Sequence, residues 1–148
     1  KTVVDKTITN DGISIKLNEV ILDDDELIVS STIRLDKEME DPFSIHAFGD
    51  IYVNGREVST GAAGSGKEID KSTFEKILTY NLGGIRGKDL SGDLDIKIVY
   101  SDLYIGDEKI KTKPFIFESG IPFSFKYKTI SFSKLDLPQR RIPDIISA

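Results

Sequence analysis

The chain contains no cysteine and no tryptophan, and in 148 residues it has one histidine, one methionine and five prolines. The lack of cysteine excludes disulfides, thiolate metal sites and cysteine nucleophiles together. It leaves the compartment open, because oxidising compartments permit disulfides without requiring them. With His46 as the only imidazole, a Ser-His-Asp relay or a two-histidine metal site would have to be built around this one ring. Its surroundings, "PFSIHAFGDIYV", read as a strand with no nucleophile elbow. No apolar run approaches the roughly 18 to 20 residues that cross a bilayer as a helix. An excess of basic charge is missing too. Twenty Lys and Arg face 25 Asp and Glu, for a net charge of -5, which repels nucleic-acid phosphate and anionic lipid. Arg140 and Arg141 form the one basic cluster. The chain begins at Lys1 with neither Met nor a charged-then-apolar leader, and reads as an excised or processed piece.

What the sequence does contain is alternation with period two, the mark of a half-buried strand. In "GISIKLNEVIL", Ile13, Ile15 and Leu17 share one parity and Val20 and Leu22 the other, although Ile21 keeps the first. The change across Asn18 and Glu19 predicts a β-bulge or a strand passing between sheets. "ELIVSSTIRL" alternates at Leu27, Val29, Ile33 and Leu35, and "DLDIKIVY" at Leu94, Ile96, Ile98 and Tyr100. Turn signals separate the runs: Asn10 to Gly12, Asp23 to Glu26, Asn54-Gly55 and Gly106 to Glu108. Further on, Phe115, Phe117, Phe123, Phe125, Tyr127 and Phe132 suit a pleated surface better than a helix. Eight or nine short strands with turns at about ten-residue intervals predict one all-β domain over 1–132, an antiparallel β-sandwich. Its predicted core is Ile15, Leu17, Val29, Ile33, Ile96, Ile98, Phe123 and Phe125. Residues 133–148, with Pro138 and Pro143 and no period, read as a C-terminal tail or linker. The stretch from Gly61 to Asp93, rich in glycine, reads as a long loop excursion with a helical turn or short strand near Phe74 to Tyr80.

Few constellations in this chain offer chemistry. "GAAGSGKE" has the spacing of a phosphate-binding loop, with Gly61, Gly66 and Lys67 in place. Glu68, however, puts a negative charge where a metal-bound hydroxyl is needed, and no buried strand-to-helix passage surrounds it. The expectation is a flexible surface loop. Asp23, Asp24, Asp25 and Glu26 lack the glycine and spacing of a calcium loop and fit a solvated turn. Gly83, Gly84, Arg86 and Gly87 could form an anion nest, and equally a loop needing positive φ. No spacing among the 25 acids singles out a glycosidase pair. No catalytic, cofactor-binding or metal residue is assigned, and no cofactor is expected.

The stretches "KTITNDGISIKLNEVILDDDELIVSSTIRL", "FSIHAFGDIYVNGREVS" and "DLDIKIVYSDL", followed by the aromatic strands, carry a resemblance over roughly residues 1 to 130. The chain resembles the immunoglobulin-like extracytoplasmic domain of unknown function found in Gram-positive anti-sigma-factor-like membrane proteins. It departs from that pattern in the glycine-rich excursion and in having "PFSFKY" where a late-strand tryptophan is common. The resemblance implies an immunoglobulin-like fold outside the membrane, tethered by a segment not present here, with no catalytic or ligand residues to carry over. The expected function is a non-catalytic binding or sensing module of a membrane-anchored cell-envelope protein, whose partner is a protein or cell-wall component and not nucleic acid. The alternatives are a structural spacer or adhesin-type domain, or a hydrolase using scattered carboxylates.

Overall fold

The computed structural model describes residues 2–23, 25–40, 42–58, 61–83 and 95–118. These form twelve strands: β1 (Thr2–Asn10), β2 (Ile13–Asp23), β3 (Glu26–Leu35), β4 (Ile45–Ala47), β5 (Asp50–Val53), β6 (Arg56–Glu57), β7 (Gly61–Asp70), β8 (Thr73–Asn81), β9 (Ile96–Tyr100), β10 (Leu103–Ile105), β11 (Glu108–Ile110) and β12 (Phe115–Glu118). They build a five-stranded sheet in the order β1-β2-β3-β8-β7, a four-stranded sheet β12-β9-β5-β6 and a three-stranded sheet β11-β10-β4. Every pairing is antiparallel. The fold is thus the all-β, antiparallel sandwich expected.

The alternation of side chains sets which face is buried. Ile13, Ile15 and Leu17 of β2 point inward, the register shifts between Leu17 and Glu19, and Val20 and Leu22 continue the buried row. Asn18 is the extra residue, and its amide donates to Thr32 Oγ1 at 3.0 Å. The bulge therefore absorbs the parity change and keeps both halves of β2 on the core. Leu27, Val29, Ile33 and Leu35 of β3 join them, as do Phe74, Leu78 and Tyr80 of β8. From the other layer come Ile51, Val53, Ile96, Ile98, Tyr100, Phe115 and Phe117, all in the same cluster. Each such aliphatic or aromatic side chain, taken fully out of water, contributes about 1.5–3 kcal/mol. Ile15, Leu17, Val29, Ile33, Ile96 and Ile98 are each no more than 1% exposed. Phe123 and Phe125 lie outside the described residues, as do the tail 133–148 and the boundary at 132.

The turns follow their residues. Asp11 and Gly12 (φ 53° and 79°) and Asn54 and Gly55 (51° and 85°) both have the two positive φ values of a type I′ hairpin turn. The β1–β2 turn also joins the layers. Asp11 Oδ2 accepts from Thr112 Oγ1 at 3.0 Å and Lys113 N at 3.1 Å, and Asn10 Nδ2 donates to Pro114 O at 2.9 Å.

One expectation is corrected. Gly61 to Asp70 is not a loop but the strand β7, and the short strand expected as one option near Phe74 to Tyr80 is β8, the two paired as a hairpin from Gly61↔Asn81 to Asp70↔Thr73. Its tip is closed by Asp70 Oδ1, which accepts from Ser72 N at 2.9 Å. The pattern was hard to read because β8 has Lys76 at an inward position and Ile77 at an outward one, which inverts the expected contrast. β7 has no apolar alternation because it lies at the edge of its sheet, ordered by backbone pairing rather than by burial. The remainder of the excursion, 84–93, lies outside the described residues.

Candidate binding edge

β7 is ten residues long, and among the described residues only β8 flanks it. Among the described residues its other side meets no strand, and the backbone N–H and C=O groups along such an edge are a ready template for an extended chain. The other sheet edges differ. β6, β11, β4 and β12 are two to four residues each. β1 is long, but its register shifts between Val3 and Lys6, Asp5 takes a φ of 50°, and Asp5 is ion-paired with Lys16 at 3.7 Å. A kinked, charged edge resists pairing. β7 is regular from Gly61 to Glu68, with its one irregularity beyond Glu68.

The even positions of β7 face inward and the odd ones outward. Ala62 and Glu68 are half-buried, and Glu68 Oε1 accepts from Phe43 N at 3.3 Å. Between them Gly64 and Gly66 bring the backbone close to β8. A Cβ on Gly64 would stand 2.0 Å from Ile77 O, and one on Gly66 would stand 2.5 Å from the Phe74 ring. Glycine is required at Gly64 because the obstacle is backbone and cannot rotate away. On the outer face the cross-strand pairs are Ala63–Thr79, Ser65–Ile77 and Lys67–Glu75. Lys67 Nζ lies 4.0 Å from Glu75 Oε1. Ile77 and Ile69 are 48% and 51% exposed, and a shallow hollow of about 250 Å³ lies among Ser65, Gly66, Lys67, Glu75 and Ile77. Among the described residues the edge therefore combines a strand side that meets no other strand, small side chains and exposed apolar surface.

Behind the edge, Lys76 reaches inward between Gly66 of β7 and Ser31 of β3, its partners in register. Its ammonium donates to Ile45 O at 3.1 Å and stands 5.4 Å from the centre of the Phe48 ring. Burial lowers its pKa from the usual lysine value, since the charged form loses water and gains only a carbonyl and a ring face. Nearby, Tyr80 Oη accepts from Gly49 N at 2.9 Å. Burial raises the pKa of Tyr80 and pushes that of Tyr100 well above the usual phenol range.

The other residues singled out in the sequence are scattered. His46 is exposed on β4, opposite Tyr104, and stacks on Phe48 with ring centres 6.5 Å apart. Asp23 and Glu26 pair at the ends of the β2–β3 hairpin, and Asp25 O accepts from Leu82 N at 2.7 Å. Among the described residues no three His, Cys, Asp or Glu side chains gather as a metal site. Gly61, Gly66 and Lys67 lie along an extended strand, where successive N–H groups point in opposite directions and do not converge on an anion. Gly83 follows β8, whereas Gly84, Arg86, Gly87, Arg140 and Arg141 lie outside the described residues. A second hollow, of about 460 Å³, opens among Met39, Glu40, Pro42, Phe43, Ser44, Ile105 and Gly106. Phe43 in its wall packs on Phe74 of β8, ring centres 5.9 Å apart.

No protein-family model and no curated protein sequence matches the chain. Among solved structures, a conserved domain protein from Bacillus anthracis is similar, with a TM-score of 0.58 and 16% identity over 80% of this chain. The chain spans 41% of that neighbour's length. At this identity the likeness supports the fold alone. Sequence reasoning missed β7 as an ordered element. The signal that marks it is the turn "DKS" at Asp70 to Ser72, which closes a hairpin between the small-residue run and Thr73.

Proposed function

We propose that this chain is a non-catalytic binding or sensing module that works outside the cytoplasmic membrane. Its parent is a membrane-anchored cell-envelope protein of the anti-sigma-factor-like kind, and its partner is a protein or cell-wall component. The observation that carries the reading is β7, a ten-residue edge strand whose first six residues are Gly, Ala or Ser, with exposed Ile69 on it and exposed Ile77 on the neighbouring β8. Such an edge binds an extended partner through backbone hydrogen bonds, with affinity independent of any catalytic group. The scatter of His46 and the acidic turn favours recognition over turnover, because general acid–base or nucleophilic work needs its groups within hydrogen-bond reach of one another. The extracytoplasmic placement rests on the resemblance of residues 1 to 130 to the immunoglobulin-like family, and the net charge of -5 argues against a nucleic-acid partner. Protease treatment of intact cells making the full-length protein tests the placement: this domain should be cleaved, and complete protection until lysis contradicts it. Turnover of any substrate lost in His46→Ala overturns the non-catalytic reading.

A further inference from the structure

We infer that β7 pairs with β7 of a second copy of this chain, antiparallel about a two-fold axis at Ser65, joining two five-stranded sheets into one. The inference rests on the reading of β7 as a binding edge and names its occupant.

The composition of the strand is divided. Gly61 to Ser65 and Gly66 are all Gly, Ala or Ser, whereas the larger side chains Lys67, Glu68, Ile69 and Asp70 follow. An antiparallel dyad lays one half over the other. With the axis normal to the sheet, directly opposed residues must point to the same face, so their numbers sum to an even value. Centred on Ser65, the axis sets Ala63 opposite Lys67 of the other copy on the outer face. On the inner face it sets Gly64 opposite Gly66 and Ala62 opposite Glu68. Each bulky or charged side chain meets a small one, and no like charges are opposed. The span 62–68 used in this register lies within the part of β7 whose pairing with β8 is regular, and the irregularity beyond Glu68 stays outside it. Across the axis the outer face reads Ile77, Ser65, Ser65, Ile77, so the two half-exposed isoleucines flank a floor of small residues. The next register toward the C-terminus, centred on Gly66, draws the irregular end into the ladder. One further on, centred on Lys67, opposes two lysines.

A single strand-to-strand contact is small, so the dimer is weak and is read at high concentration. Sedimentation equilibrium of the 148-residue chain from about 10 µM to about 1 mM should show a monomer–dimer equilibrium. Position 63 then tests the register, since Ala63 is exposed and faces Lys67 of the partner copy. Ala63→Lys should weaken association about fivefold, the repulsion occurring twice in the dimer, and Ala63→Glu should tighten it by a similar factor. This order runs against net charge, because adding Glu to a chain of charge -5 increases general repulsion and adding Lys reduces it. A monomer throughout the range, or an order that follows net charge, overturns the inference. Either result leaves the edge available to a different partner, which crosslinking from β7 in cells reads separately.

Discussion

Gly64→Ala tests whether β7 is a built strand or a loop resting on the sheet. The added Cβ would lie 2.0 Å from Ile77 O and 2.9 Å from Leu78 Cα. Both obstacles are backbone, so no rotamer change relieves them and β7 must move away from β8. Overpacking of this kind costs about 1–3 kcal/mol. The loss of global stability has a ceiling, however. Only Ala62 and Glu68 of β7 are even half-buried, and the strand can detach locally once the clash exceeds what its own pairing contributes. The expected result is a fall of about 1–3 kcal/mol in urea denaturation, together with roughly a 10- to 100-fold loss of amide-exchange protection along the β7–β8 ladder. Amides of the β2–β3 ladder should lose no more than the global change. Gly61→Ala is the control: its Cβ meets nothing within 4 Å, so the substitution should be neutral or stabilise by about 0.5 kcal/mol through the unfolded chain. Equal, small effects of the two substitutions would refute the strand geometry.

Lys76→Met should keep the packing of the stem and remove a buried charge. Since the folded-state pKa of Lys76 is lowered from 10.5, the unfolded chain binds more protons between the two values. Wild-type stability therefore rises with pH as it climbs from the lowered pKa toward 10.5, and denaturation curves across that window should show the rise in the wild type and not in the variant. At the acid end the hydrogen bonds from the Lys113 and Ser72 backbones hold Asp11 and Asp70 below 3.8. Their stabilisation is present above that value and disappears as pH falls through the lowered values, so Asp11→Ala with Asp70→Ala should flatten the acid limb of a thermal-melting profile. Tyr80→Phe leaves the Gly49 N–H without its 2.9 Å acceptor in a buried site and should cost about 1–3 kcal/mol by denaturant titration.

The parts of the fold legible in the sequence are those where burial and chain period coincide. The parity change across Asn18 and Glu19 in "GISIKLNEVIL" left a bulge and a passage between sheets open, and the register shift between Leu17 and Glu19 is the bulge, because both halves of β2 must face the core. Asn54-Gly55 and Asp11-Gly12 marked their hairpins because few residues adopt two successive positive φ values. β7 was illegible for the opposite reason. Its order comes from backbone bonds to β8 and from two glycines that admit close approach, and neither leaves an apolar pattern. β8 was half-hidden because its inward Lys76 is satisfied by a carbonyl and a ring contributed by β4 and the residue following it, a tertiary arrangement with no local trace. The candidate edge therefore fell within the stretch read as a loop.

The most direct test of the central claim, that β7 is the surface through which this domain binds, is photo-crosslinking in intact cells. A photoreactive amino acid at Ser65, exposed on the outer face of β7, is compared with one at Lys109, exposed on the three-residue strand β11. Covalent adducts, to a second copy or to another envelope protein, should form from position 65 and not from position 109. Adducts from 109 alone, or from neither position in cells that expose the domain, would contradict the account.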